Sequence, residues 1–389
     1  MRALFFSMLF FFCHQAQAAY YDVLPKGVRN FTYRYIQTSQ VGGSYNSSGK
    51  FEGYNVNANI NADSIRGIIS AVDTYLDTLS AADYAAFSFG TFEGSAKSKV
   101  SAHAFGMGYG LTNRLTAYAF IPYYMAVVDL NLNRTVKGRN NVGTAIQIED
   151  LPEVDARLIQ SLFVNYFGYK PLGKWEAKDF GDTEVGAMYQ LSKGRRGGVL
   201  VNIGAIVPTG REDDANTLQD IGFGEGHWSA FFELGGGYRF NVWWSVDAWG
   251  RYTYQFPFKR TERLPDSLSF PVTSRSGQVK INPGNKYQLN LQNTLHWSDQ
   301  WTTSLLYTYD KKNLDDYSSA FAISDEYLES NTNETTHTAR INLGFSTVSL
   351  YKRKKFVAPL DINLAAQSIF SGVNVPKYER YDLEFRLYF

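Results

Sequence analysis

The chain has 389 residues, 38 basic and 37 acidic, which gives a formal net charge of +1. This balance argues against a nucleic-acid partner, because nucleic-acid-binding domains carry a basic excess. A single cysteine, Cys13, excludes a disulfide framework.

The first eighteen residues have the pattern of an export signal. Arg2 precedes the apolar run Ala3–Cys13, and residues 16–18 (AQA) fit an A-x-A cleavage site. The run is shorter than the roughly 20 residues of a membrane helix, so a retained anchor is the weaker interpretation. We expect residues 1–18 to be a signal peptide and residues 19–389 to form one domain. The full chain has 27 Tyr and 28 Phe, a composition that is typical of an outer-membrane β-barrel.

Alternating apolar and polar side chains predict about twelve strands, with a range of ten to fourteen. They lie near residues 28–38, 99–110, 114–126, 180–192, 198–208, 227–240, 242–257, 285–297, 301–310, 335–349, 355–368 and 378–389. An antiparallel up-and-down transmembrane barrel has an even number of strands, apolar side chains outside and polar ones inside. A soluble β-sandwich would also alternate, but its strands are usually shorter and its outer face polar.

The last predicted strand, Tyr381–Phe389, alternates to its final residue. Such a strand leaves an open edge unless it pairs with the first strand and closes a cylinder. A closing strand that ends in Phe389 is similar to the assembly signal of bacterial outer-membrane barrels. We therefore expect the barrel-assembly machinery to recognise it.

Short and long connections alternate along the chain, as in outer-membrane barrels with short periplasmic turns and long external loops. The longest loops are residues 39–98 and 127–179. This alternation predicts that both termini are periplasmic in the outer membrane of a Gram-negative bacterium. Outer-membrane lipids and lipopolysaccharide are then expected partners, and the barrel is expected to be a monomer.

Each of these two loops is predicted to carry a helix. Residues Ala62–Leu76 have apolar side chains at helical spacing. The second helix runs from Pro152, a favourable first residue, to Gly168 and presents Leu158, Leu162 and Phe163 on one stripe. The two stripes are expected to pack on each other as a cap. The alternative is that part of a stripe lines an apolar groove for a ligand.

Two stretches resemble a known family. Gly108–Tyr124, with the sequence GYGLTNRLTAYAFIPYY, is similar to a strand–turn–strand motif of phenol meta-pathway outer-membrane proteins. Phe180–Leu191 and Gly204–Arg211 resemble the next hairpin of that family, and the likeness covers about residues 105–255. Those proteins are grouped with FadL-like channels. The resemblance thus implies passive uptake of small hydrophobic compounds, either aromatic hydrocarbons or fatty acids.

One feature departs from that pattern. FadL channels place an N-terminal hatch inside the barrel, whereas only Ala19–Gly27 precede the first predicted strand. A plug is therefore expected to come from a folded-in loop, above all residues 39–98.

Several side chains on predicted inner faces are apolar or aromatic, which favours an apolar ligand over sugars or ions. In the strand at 114–126 both faces are largely apolar, so one of them must line the lumen. The ligand-binding candidates in the lumen and loops are Tyr118, Phe120, Tyr124, Met188, Phe231, Leu158, Leu162 and Phe163.

Pro122 and Pro208 lie near the outer ends of predicted strands. Proline removes a ladder hydrogen bond and favours a bulge. The simpler interpretation is strand termination. The alternative is a lateral gap in the wall, through which a hydrophobic ligand leaves into the membrane.

Two other classes of function compete with transport. A phospholipase needs converging Ser, His and Asn or Asp side chains, and no such pattern surrounds His103, His227, His296 or His337. No metal-binding spacing is present either, so we expect no catalytic residue, cofactor or metal ion. The other class is a structural or adhesive barrel whose loops bind a surface partner.

Overall fold

The computed structural model describes residues 19–67, 70–139, 156–268 and 272–389. The predicted signal peptide at 1–18 lies outside the described residues, as does Pro152. No helix within these ranges is long and apolar enough to cross a bilayer.

The described residues form twenty strands. They are β1 (Arg29–Thr38), β2 (Gly43–Tyr45), β3 (Phe51–Gly53), β4 (Asn55–Asn61), β5 (Ser88–Thr112), β6 (Leu115–Arg139), β7 (Lys174–Phe180), β8 (Thr183–Lys193), β9 (Gly197–Val207), β10 (Ser229–Arg239), β11 (Trp244–Gln255), β12 (Phe258–Arg263), β13 (Ser276–Asn282), β14 (Lys286–His296), β15 (Trp301–Lys312), β16 (Asp316–Ser318), β17 (Glu334–Ser346), β18 (Leu360–Val373), β19 (Val375–Pro376) and β20 (Glu379–Tyr388).

Twelve of these strands close an antiparallel barrel, which confirms the predicted fold class and strand number. Around the wall they follow the order β5, β1, β20, β18, β17, β15, β14, β11, β10, β9, β8 and β6, and β6 pairs with β5 again. The ring closes where the first strand pairs with the last along its whole length, from Asn30 opposite Tyr388 to Thr38 opposite Arg380. The backbone groups of Arg29 and Phe389 exchange two hydrogen bonds of 2.8 and 3.0 Å.

The barrel has two unlike ends. Short joints such as residues 194–196, 240–243 and 297–300 lie at one end, with both chain termini, and we call it the turn end. The long connections lie at the other end, which we call the loop end. Along the wall, outward side chains are apolar and inward ones polar, as in β14, where Leu289 and Leu291 are exposed and Asn290 and Thr294 are buried.

The two strands that follow the first long connection are much longer than predicted. β5 and β6 each contain 25 residues and pair with each other from Ser88–Arg139 to Thr112–Leu115. Only the parts of β5 and β6 that are near the turn end pair with β1 and β8. Beyond the ring, β4 and β7 flank them, which makes a four-stranded extension at the loop end. The prediction stopped at a membrane-sized strand, although period-2 alternation continues, with Lys97 and Lys99 facing outward.

Six short helices lie in the described connections: α1 (Ala62–Ile65), α2 (Ser70–Leu76), α3 (Ala81–Ala86), α4 (Ala156–Ser161), α5 (Ala322–Glu329) and α6 (Val348–Lys352). The single helix predicted at 62–76 is therefore wrong. Gly67 has a φ of +79°, a conformation that ends helices, between α1 and α2. α4 continues into a π-helical turn, Leu162–Tyr166, and Gly168 ends it with a φ of +73°, where the sequence predicted the end.

The predicted cap of two helices packed on each other is not what the structure shows. Leu76 of α2 and Ala62 of α1 pack with Phe87 and Phe89 beside the start of β5. The second helical segment instead places Phe163 against Phe167 and Tyr169, with ring centroids 6.3 and 6.1 Å apart. The first segment thus packs on residues that follow it in the chain, and Phe163 of the second segment is half-buried by Phe167 and Tyr169.

Buried ion pairs tie the inner wall together across the closing seam. Glu384 of β20 contacts Arg34 of β1 and accepts a 3.0 Å bond from Nη2 of Arg386. All three side chains are almost fully buried. Removing one partner of a buried pair leaves an uncompensated charge.

We expect Glu384→Gln to destabilise the barrel by about 3–5 kcal/mol, because Arg34 and Arg386 lose their shared carboxylate. The measurement is the unfolding midpoint in urea for protein refolded in detergent. Glu379→Gln, at the exposed loop end of the same strand, is the matched control and should unfold like the wild type. Equal midpoints for all three proteins would contradict the role of the seam.

Candidate functional site

The lumen contains one open cavity of about 200 Å³ within the described residues. It lies against β14, β15, β17, β18 and β20, on one side of the barrel. Hydroxyl and amide side chains dominate its lining: Gln288, Asn290, Gln292, Thr302, Ser304, Thr308, Thr336, Thr338, Asn342, Asn363 and Gln367. Typical pockets for drug-sized ligands measure 300–1,000 Å³, so this cavity fits only small molecules.

Hydrogen bonds between neighbouring strands hold these polar side chains in place. The Thr308 hydroxyl donates to Oδ1 of Asn290 at 2.8 Å, and Nδ2 of Asn290 donates to Oε1 of Gln288 at 2.9 Å. Gln288 and Thr336 both donate to the carboxylate of Asp310, at 2.5 and 3.2 Å. The wall of the cavity is therefore an ordered polar surface.

Four arginines and two carboxylates form a charged group beside the cavity, and Arg34, Arg340, Arg380 and Glu384 of this group belong to its lining. Arg34 and Arg386 share Glu384, as described above. Asp382 in the same way contacts Arg340 and accepts two bonds from Arg380, at 2.7 and 3.0 Å. Since each carboxylate serves two guanidinium groups, this group of six side chains carries a surplus of positive charge.

The loop end of the cavity combines apolar and charged side chains. Ile369, Val375, Pro376 and Tyr378 line one side of it, and Lys286, Lys311, Lys312 and Glu334 line the ends of the facing strands. Three of the first group belong to a buried apolar cluster that also contains Val41 and Tyr45. A solute that enters from the loop end thus meets both an apolar surface and charged groups before it reaches the hydroxyl and amide groups.

The opposite side of the lumen is filled. Phe120 and Tyr124 of β6 point inward, as predicted, and join a buried cluster with Ile36 and with alanines and valines of β5 and β6. Ile221 and Phe223 come from the connection between β9 and β10 and complete this cluster. Phe223 stacks on Tyr124 with ring centroids 5.4 Å apart.

The connection that fills the lumen, residues 208–228, was not the expected one. The sequence favoured 39–98 as a plug, but in that segment β4 and the start of β5 form part of the extension, and α1 and α2 pack beside the start of β5. Arg211 holds the plug together through two bonds to Asp220, of 2.8 and 2.6 Å. Apolar side chains alternate with glycines in Ile221-Gly222-Phe223-Gly224. This feature of the sequence could have identified the segment as a plug.

Ionic contacts fasten this plug to the wall. Glu225 contacts Nε2 of His227 at 3.1 Å and Nζ of Lys286 at 2.5 Å. Burial alone would raise the pKa of Glu225, but Lys286 and His227 outweigh it and hold that pKa well below its usual range. The carboxylate of Asp182 accepts backbone bonds of 2.9 Å from Gly210 and Glu225.

The N-terminal residues also enter the lumen, at the turn end. Tyr20 stacks on Trp249 with centroids 4.7 Å apart and donates its hydroxyl hydrogen to Glu233. The Tyr21 carbonyl accepts a 2.7 Å bond from Gln190, and Leu24 donates to Thr116 at 2.8 Å. The sequence predicted a plug only from a folded-in loop, whereas Tyr20, Tyr21 and Leu24 of the N-terminal residues also contact the inner wall.

The other lumen candidates also face inward. The Tyr118 hydroxyl donates to Glu184 at 2.8 Å and lies 3.0 Å from Nδ2 of Asn202. Phe231 is buried beneath the guanidinium group of Arg251, 3.6 Å from its ring centre. Met188 lies opposite Asn202 and Thr116 in the ladder and is half-buried.

The loop candidates lie apart from the cavity. Leu162 and Phe163 belong to the π-helical turn and are half-buried. Leu158 lies in α4, but its side chain is outside the described part of the structure. Neither Leu162 nor Phe163 belongs to the lining of the cavity, and the role of all three residues as ligand contacts stays a prediction.

The two prolines mark an irregular part of the wall. β6 changes its neighbour at Pro122, because Phe120 pairs with Glu184 of β8 whereas Tyr123 pairs with Phe180 of β7. Pro208 follows the last residue of β9. The Thr209 hydroxyl donates to the Gly181 carbonyl at 3.1 Å and accepts from the Thr183 amide at 3.0 Å. Hydrogen bonds therefore bridge the position of the proposed lateral gap.

The histidines make structural contacts. The closest approach to a catalytic arrangement joins Glu225, His227 and Ser229. Nδ1 of His227 lies 3.0 Å from the Trp228 carbonyl and 3.4 Å from the Ser229 hydroxyl. A carbonyl only accepts hydrogen bonds, so Nδ1 carries a proton and cannot take one from Ser229. In the described ranges no group of His, Cys, Asp and Glu side chains could hold a metal ion.

Among solved structures, this barrel is similar to an outer-membrane channel. The COG4313 outer membrane channel from Pseudomonas putida F1 superposes with a TM-score of 0.55 over 96% of this chain and 100% of that one, at 14% identity. The fold is that of an outer-membrane channel.

Two other channels align with lower scores. A Pseudomonas aeruginosa FadL homologue aligns over 94% of this chain and 90% of its own, with 9% identity and a TM-score of 0.34. The Pseudomonas putida toluene transporter TodX covers the same shares, with 11% identity and a TM-score of 0.36. No family model and no curated protein matches the sequence. Membership of the phenol meta-pathway family stays a prediction.

We expect Phe223→Ala to loosen the plug, because the buried ring contact with Tyr124 is lost. Truncation of a buried phenylalanine costs about 3–5 kcal/mol, and a looser plug should raise the single-channel conductance in planar bilayers. Phe356→Ala, in the exposed joint between α6 and β18, is the control and should conduct like the wild type. Unchanged conductance in Phe223→Ala would show that the plug does not limit the pore.

Proposed function

We propose that this chain is an outer-membrane channel for the passive uptake of small hydrophobic compounds, above all aromatic molecules that carry an oxygen atom. The observation that carries this proposal is the cavity of about 200 Å³, whose wall combines apolar side chains such as Ile369 and Val375 with hydroxyl, amide and charged groups. Its size favours compounds of about one aromatic ring. The names of the FadL homologue, the toluene transporter TodX and the CymD monoaromatic hydrocarbon channel agree with this class of solute.

The arginine surplus of the cavity adds a preference within that class. Guanidinium groups are donors without acceptor capacity, so Arg34, Arg340 and Arg380 favour solutes with hydroxyl, carbonyl or carboxylate oxygens. A purely hydrocarbon solute would have to displace water from these polar groups without replacing its hydrogen bonds. We therefore expect oxygenated aromatics to pass faster than hydrocarbons of the same size.

The route is proposed to run through the lumen, from the loop end outside the cell to the periplasmic turn end. Lateral exit beside Pro122 and Pro208 would first have to break the bonds that Thr209 and Asp182 make there. We also propose that the protein is a monomer among outer-membrane lipids and lipopolysaccharide. Phe389 is the proposed signal for the assembly machinery, and its side chain is exposed at the end of β20.

Two adjacent residues of β15 allow a matched test. Ser304 lines the cavity, whereas Leu305 faces outward and is exposed. We expect Ser304→Trp to fill the cavity and reduce uptake of labelled benzyl alcohol about tenfold, towards the rate of cells that lack the protein. Leu305→Trp adds the same side chain on the outer face and should transport at the wild-type rate.

The measurement is initial uptake by intact cells at equal amounts of folded protein in the outer membrane. Toluene serves as the hydrocarbon of similar size and should enter more slowly than benzyl alcohol. If cells with and without the protein take up both compounds equally, the transport function is contradicted, and the adhesive barrel with partner-binding loops becomes the better interpretation.

A further inference from the structure

Asp247 is a buried carboxylate without a counter-charge in the described part of the chain. It faces the lumen from β11 and is only 3% exposed. Its one hydrogen bond is a 3.1 Å contact from the backbone nitrogen of Tyr20 to Oδ1. None of the ion pairs between described residues includes Asp247, although an unpaired buried charge is costly.

Other acidic groups surround this position. Glu233 accepts the Tyr20 hydroxyl, and Asp22 lies in the same turn and pairs with Lys193 at 2.5 Å. The turn itself is closed by a 2.9 Å bond from the Asp22 nitrogen to the Ala19 carbonyl. Glu233 lies beside Arg251 and Asp22 pairs with Lys193, so of these three carboxylates only Asp247 lacks a cation among the described residues, and it is a favourable place for one.

The wall is shaped to receive this segment. A Cβ atom at Gly235 would come within 2.5 Å of the Tyr20 ring, and one at Gly198 would come equally close to the Tyr21 ring. A side chain at Gly237 would collide with the carboxylate of Asp247. Glycine at these three positions leaves space for the rings of the two tyrosines and for the carboxylate. The inner wall is therefore shaped for this contact.

We propose that Asp247 binds the α-ammonium group of Ala19, which exists only after the signal peptide has been removed. Cleavage after Ala18 is predicted from the A-x-A pattern. Consecutive Cα atoms lie about 3.8 Å apart, so the nitrogen of Ala19 is within reach of the carboxylate that its neighbour already contacts. An α-amino group with an ordinary pKa of about 7.7–8.0 is mostly protonated at neutral pH. Removal of the signal peptide therefore supplies the missing cation and fixes the N-terminal segment to the inner wall at the turn end.

This inference is independent of the transported solute. It predicts that only a chain beginning at Ala19 closes the turn end fully. A chain with additional residues before Ala19 keeps the peptide nitrogen but moves the positive charge away from Asp247. Its N-terminal segment should bind the inner wall more weakly, and the lumen at the turn end should be open more often.

The test is a double-mutant cycle on protein purified from outer membranes. One variant is Asp247→Asn, the second inserts Gly-Ser between Ala18 and Ala19, and the third combines the two. We expect each single change to lower the midpoint of thermal unfolding by several degrees and to raise single-channel conductance. The combination should show no further shift, because both changes remove the same ion pair.

Asp22→Asn is the matched control, since it removes the carboxylate that pairs with Lys193 and leaves Asp247 intact. In that background the Gly-Ser insertion should still have its full effect. Additive effects of the insertion and Asp247→Asn would overturn the proposal. N-terminal sequencing of the wild type must begin at Ala19, and any other start would overturn it as well.

A second measurement needs no stable insertion variant. The α-amine of a folded wild-type protein should react slowly with an amine-selective ester near neutral pH, because the ion pair protects it. Asp247→Asn should react several-fold faster, while Asp22→Asn should react like the wild type. Equal rates in wild type and Asp247→Asn would also contradict the ion pair.

Discussion

The structure depends on the seam between β1 and β20, where the ladder of the first and last barrel strands closes the ring. Backbone bonds satisfy every step of this seam, but they do not choose the register. Glu384 does so, because only the observed pairing places its carboxylate between Arg34 and Arg386. A slip of β20 by one residue would turn Glu384 and Arg386 towards the outer face, where exposed leucines and phenylalanines lie, and would separate them from Arg34.

The charged side chains that close the barrel also limit how its lumen can be filled. A barrel whose inner wall carries arginines and carboxylates cannot fill its lumen with apolar wall residues alone. It fills one side with inserted segments, which bring Ile221 and Phe223 from the loop end and Tyr20 from the turn end. The other side stays open as the polar cavity. The pore is thus what the two plugs leave free, and its width depends on how firmly Asp182, Glu225 and Glu233 hold them.

The periodicity of the sequence was sufficient to predict the barrel, because inward and outward positions of a strand differ in polarity. It predicted the twelve strands, the closing pair and the inward direction of Phe120, Tyr124 and Phe231. It failed for β5 and β6, which continue beyond the thickness of a membrane. It also failed for the plugs, since Tyr20 and Phe223 lie in irregular segments, where no period links a residue to its neighbours in space.

Periodicity also failed to identify which inward side chains line the cavity. An aromatic side chain on an inner face was taken as a ligand contact, but Phe120 and Tyr124 are covered by Phe223. The polar residues that line the cavity are instead mainly a serine, threonines, asparagines and glutamines of β14, β15, β17 and β18, which had been treated only as the wet face. A lumen of this kind discriminates by size and by hydrogen bonding. In the proposed function, the ring of the solute would contact Ile369 and Val375, and its oxygen atom would accept hydrogen bonds from Arg340 and Thr338. Hydrophobic uptake and a polar pore are compatible when the solute carries both surfaces.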